Sequence, residues 1–150
     1  MVENKEDLLE HYQQTRQELL AVLDGLSDEL MIERSLDGWS IKDHLGHISL
    51  WDDLRASEVV RISAGHESAW PMTGEQGDAY NSMGYALRTG LSLDQVRWEL
   101  ASSHARLLAA LTSAAPRAFD ASLYGEAGLR SQHEAQHTGW IRRWRGEKGL

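Results

Sequence analysis

The chain has seven histidines and no cysteine in 150 residues, so any metal or acid–base chemistry has to rest on imidazoles and carboxylates. Two imidazoles, His133 and His137, stand four apart in His133-Glu134-Ala135-Gln136-His137. On a helix that spacing projects both rings from one face, a turn apart. A third, His47, lies in or at the edge of an apolar stripe made by Ile41, Leu45, Ile48, Trp51, Leu54 and Val59, which recur at three- and four-residue steps. One buried, unpaired histidine is tolerable, but three on facing helices are expensive unless they have a use. The expectation is that His47, His133 and His137 share one divalent metal. Neutral imidazole suits zinc, nickel, copper or iron, with zinc and nickel the leading choices. Three protein nitrogens leave a coordination position open, which is the pattern of a reactive site. A bundle whose histidines are merely structural stays open as an alternative.

Four other residues are pocket candidates. His44, three residues before His47, could reach the same side and is the rival for its place. It also occupies the fourth helical position, where it would pack on Trp39 as a hydrophobic staple. Asp43, a turn before His47, could orient a ligand histidine, and it could equally cap the helix. His104, between Leu100 and Leu107, could line the pocket or be a satisfied boundary histidine. Asn81 completes the group and enters through the family resemblance given below.

These residues need elements to carry them. Trp39-Ser40-Ile41-Lys42-Asp43 reads as a helix start, with Ser40 as N-cap and Asp43 in a short capping box; the helix runs to about Ile62. Leu8, Tyr12, Thr15, Leu19 and Val22 set a helical beat over about Lys5–Leu23, closed by Gly25. Leu91-Ser92 opens another helix, which Ala115-Pro116 ends. A last helix is expected over about Leu129–Arg145. The stretch from Gly65 to Gly90 is irregular, with a short helix expected at Asp78–Leu87, and a connection of that length tends to be functional. Four amphipathic helices and no convincing strand give an all-α four-helix bundle, read as a single domain over residues 1–150.

Composition narrows the partners. The formal charge is −8, and the sequence pI is near 5.3, which argues against nucleic acid. No apolar run reaches the ~20 residues of a membrane span. The N-terminal residues lack the basic and apolar regions of a signal peptide, so a cytoplasmic protein is expected.

Three ordered motifs carry a family resemblance. Trp39-Ser40-Ile41-Lys42-Asp43 … Gly46-His47-Ile48 … Trp51 resembles the first signature of the DinB-like superfamily, closest to its ClbS/DfsB-type branch. Asp78-Ala79-Tyr80-Asn81 resembles the signature of the middle connection. His133-x-x-x-His137-x-x-Trp140-Ile141-Arg142-x-Trp144 resembles the closing one. The resemblance implies a long crossover between the second and third long helices, a metal triad at His47, His133 and His137, and Asn81 near the pocket. A homodimer is plausible on the same ground. His44 departs from the family, which usually has an aliphatic residue there. The resemblance further implies a metal-dependent enzyme that activates a low-molecular-weight thiol or water against a small electrophile, as a thiol transferase or hydrolase in stress or detoxification. The alternative is a metal-containing protein that binds a small molecule for self-protection without turnover.

Overall fold

The computed structural model describes all 150 residues. It contains six α-helices: α1 (Lys5–Leu23), α2 (Asp28–Ile32), α3 (Ile41–Ser63), α4 (Gly74–Arg88), α5 (Leu93–Ser113) and α6 (His133–Glu147). Two short 3₁₀ turns, Pro116–Phe119 and Ala121–Leu123, lie between α5 and α6. The all-α bundle is as expected.

The helix starts follow side-chain chemistry. Asn4, Ser27, Ser40, Thr73 and Ser92 each accept a bond from a backbone N–H that the first turn leaves free. At α3 the box is reciprocal: Ser40 Oγ accepts from Asp43 N–H at 3.1 Å, and the Asp43 carboxylate accepts from Ser40 N–H at 2.9 Å. Just upstream, Leu36 and Trp39 exchange both backbone bonds around Asp37-Gly38. Both turn residues have positive φ, 55° and 82°, the type I′ geometry for which Asp-Gly is suited.

Four long helices make the bundle, and their packing fixes direction. Leu8 and Tyr12 of α1 share one core cluster with Val59 and Ile62 of α3 and with Leu107 and Leu111 of α5. Leu19 of α1 shares another with Ile41, Leu45 and Ile48 of α3, Val96 and Leu100 of α5, and Ile141 and Trp144 of α6. Thus α1 runs antiparallel to α3 and α5, while α3 and α5 run parallel, so the chain between them must cross over the length of the bundle. That crossover holds α4, which is longer than the short helix expected at Asp78–Leu87. Of the three glycines that disguised it, Gly84 serves close packing: a Cβ there would stand 2.3 Å from Leu50 Cδ2 of α3.

Between the two apolar clusters lies a layer of buried charge. Arg16 of α1 donates to Glu134 of α6 at 2.7 Å, to Asp52 of α3 at 2.8 Å and to the Leu100 carbonyl of α5 at 2.7 Å. Arg55 stands 3.6 Å from Asp52. All four side chains are buried, and two cations face two carboxylates.

Candidate metal centre

α3 and α6 position the site. The start of α6 is fixed from outside: Tyr12 donates to the Leu129 carbonyl and accepts from Ser131 N–H, while His11 Nε2 meets the Ser131 carbonyl at 2.7 Å. Arg55 donates to the carbonyls of Ala127 and Gly128. Residues 129–131 are thereby held as an irregular strap, and the helix begins at His133 instead of Leu129. Ser131 Oγ then accepts from His133 N–H at 3.1 Å.

The strap delivers His133 and the next turn delivers His137, both facing His47 on α3. Nε2 of His47 lies 2.9 Å from Nε2 of His133, which lies 3.0 Å from Nε2 of His137. One ligand atom from each of these three residues falls within 4.8 Å of the others. Tetrahedral zinc with Zn–N near 2.1 Å needs N···N separations of about 3.4 Å, so small outward shifts would admit the ion. The donor set fits a divalent metal that accepts imidazole nitrogen.

The other candidates are distributed differently. His44 is buried and packs edge-on against Trp39, ring centroids 5.1 Å apart, as a staple should. It also reaches His137, Nδ1 to Nδ1, at 2.7 Å. Asp43 is committed to the capping box. Asn81 accepts the Trp51 indole N–H at 2.7 Å and borders the site. His104 stands apart from the triad. It lines a separate cavity of about 610 Å³ between α1 and α5, beside Arg16 and Leu100.

Two openings flank the triad. One, of about 360 Å³, is walled by Leu36, Trp39, Trp140, Asp37 and Asn81. The other, about 210 Å³, lies between Trp51, Arg55, Asn81, Glu126 and Ser131. The tight Leu36–Trp39 turn thus supplies one rim of the site.

The family description "DinB superfamily" matches residues 11–141. The chain belongs to the DinB superfamily. Among solved structures, this DinB protein is similar to an uncharacterised protein from Escherichia coli UTI89, with 16% identity, a TM-score of 0.80, and 97% of this chain and 95% of that one covered. It is also similar to a protein from Streptococcus pneumoniae, with 15% identity, a TM-score of 0.76, and 97% and 92% covered. At these identities the likeness is one of fold. No curated protein matches the sequence.

Electrostatics favour ligation in this DinB site. Burial lowers His47 to about 4 and His133 to about 3, and the neighbouring imidazoles push the same way. His137 falls to about 2 for the same reasons, and burial lowers His44 as well. All four rings are therefore neutral at pH 7, each with one ring nitrogen bearing a lone pair. Sequence reasoning missed the buried charge layer behind the site and the bond from His44 to His137. A clue to the layer was Arg16 at an inward position between Tyr12 and Leu19.

Proposed function

We propose that this protein is a metal-dependent enzyme in which His47, His133 and His137 hold one divalent cation, and a small electrophile is attacked by a thiol or by water beside it. The observation that carries the reading is the convergence of three neutral Nε2 atoms with open space on two sides. A cation bound there supplies Lewis acidity and lowers the pKa of a thiol or water. The chain supplies the rest. The three rings fix the ion, Trp39, Trp140 and Leu36 give the reacting molecule an apolar wall, and Trp51 with Asn81 closes the second side. Since the chain has no cysteine, a sulfur nucleophile must arrive as a low-molecular-weight cosubstrate.

The test uses protein purified without a His tag. Stoichiometric zinc or nickel, lost in the His47→Ala/His137→Ala double variant, supports the site; absence of metal in the unmutated protein removes it. Consumption of a model electrophile such as a maleimide or epoxide with an added thiol, over many turnovers and stopped by EDTA, supports the enzyme. A single equivalent consumed per chain supports a sequestering protein instead.

A further inference from the structure

We infer that His44 is a positioning residue for the metal centre: it accepts the Nδ1 proton of His137 and so turns His137 Nε2, lone pair first, toward His47 and His133. The inference rests on the reading of the triad as a metal site and adds a residue that the three ligands do not include.

The geometry leaves few alternatives. Nδ1 of His44 lies 2.7 Å from Nδ1 of His137, with both rings buried. Two nitrogens at that distance share one proton. If the proton belongs to His44, neutral His137 carries its own on Nε2, aimed at the His133 nitrogen 3.0 Å away, and its lone pair is unusable by a cation. If it belongs to His137, Nε2 is free to ligate. A cation in the triad selects the second arrangement, and His44 Nδ1 must then be the acceptor.

The rest of His44 fits that assignment. Its Nε2 is buried without a partner at good hydrogen-bond geometry, the Leu36 backbone giving the ring only a weaker polar contact. A buried, unpaired N–H costs about 1–3 kcal/mol. An aliphatic residue could fill the same space without that cost, so the imidazole is justified by what its other nitrogen does. The ring is also held still. Trp39 packs on it at 5.1 Å and Trp140 at 6.2 Å, and Trp39 is itself stacked on Tyr85 at 5.3 Å. A metal-bound histidine usually gives its second N–H to a carboxylate or carbonyl. A neutral imidazole performs the same orientation without adding negative charge, which leaves the cation more electron-poor.

The experiment follows Co(II) and zinc binding, read by the cobalt d–d bands and by competition with a chelator. His44→Leu keeps the bulk and removes the acceptor. It is expected to weaken binding about 10–100-fold and to shift the cobalt bands, while His44→Asn, which places Oδ1 where Nδ1 was, stays within about threefold of the unmutated protein. Because a variant could fold poorly, the zinc-loaded unmutated protein gives an independent reading. Nitrogen NMR should find His137 protonated at Nδ1 and coupled to His44 Nδ1. Binding and bands unchanged in a folded His44→Leu protein overturn the inference alone, as does an unprotonated His137 Nδ1. An unmutated protein that takes up no metal overturns it together with the reading beneath it.

Discussion

His133 holds the centre of the triad, being within 3.0 Å of both other ligand nitrogens. Two remaining imidazoles, one on each helix, would not enclose an ion in three protein nitrogens. His133→Ala is therefore expected to lose stoichiometric zinc while keeping its helical circular dichroism. Retention of one zinc per chain would show that other groups do the holding. Asn81 belongs to a different class of residue. Its side chain accepts the Trp51 indole N–H, and removing the acceptor from a half-buried donor costs about 1–3 kcal/mol. Asn81→Leu should lower stability by that amount in urea denaturation and alter tryptophan fluorescence, yet leave metal content unchanged. At this scale the sequence was informative where spacing alone decides direction, as with His133 and His137. It was less so for His44 and His47, three residues apart on α3. Both reach α6, one through Nδ1 to His137 and one through Nε2 to His133, and only the placement of α6 distinguishes their roles.

The helices themselves are joined by the charge layer. Arg16 alone ties α1 to α3, α5 and α6, and it neutralises two buried carboxylates. Arg16→Leu leaves Asp52 and Glu134 facing each other with Arg55 as the remaining cation. A loss of about 3–5 kcal/mol is expected in urea denaturation, because an uncompensated charge stays buried. Asp52 also gives the layer a pH dependence. Burial, reinforced by Glu134, raises its carboxyl to about 6 against the opposing pull of Arg16 and Arg55. The folded state thus holds a proton that the unfolded chain, with a pKa near 3.8, releases. Below the unfolded pKa the group is protonated in both states and costs nothing. As pH rises toward 6 the folded state is penalised, by about 3 kcal/mol in full at 1.36 kcal/mol per unit. Asp52→Asn should therefore gain stability relative to the unmutated protein between pH 4 and 6.5; a difference flat across that window would show that the shift is absent. Apart from Asp52 and Arg55, a turn apart on α3, this pairing cannot be read from one sequence, since Arg16 and Glu134 reach the layer from α1 and α6. The N-caps of α3 and α5 could be read, because Ser40 and Asp43, like Ser92 and Gln95, are three residues apart and decide the helix start locally. α4 was underestimated for the converse reason: its glycines lower helix propensity, and what keeps it helical is a capping box at Thr73 and Gln76 together with the close approach of Gly84 to α3.

For the whole molecule, the candidate metal centre would bridge distant parts of the chain. His47 lies on α3 and the other two histidines on α6, separated by the crossover, α5 and both 3₁₀ turns. Apart from the triad, α6 is held by Ile141 and Trp144 in one core cluster, by the Arg16–Glu134 pair, and by Arg145 to the Val22 and Asp24 carbonyls at its far end. Its first turn has no side-chain cap on Gln132 and depends on the strap at 129–131. A cation bound by all three rings would fasten that first turn to α3, and a ligand that binds the folded chain alone stabilises it with the logarithm of its free concentration over its dissociation constant. Zinc at 100 times its dissociation constant should add about 2.7 kcal/mol, which for a chain of this size raises the melting temperature by about 5–11 °C. Amide exchange should slow most at residues 133–138 and around His47, with little change at the far end of α6 beyond Ile141. A melting temperature indifferent to zinc, or protection spread evenly along α6, would mean that the three imidazoles close on one another in the folded protein without needing an ion between them.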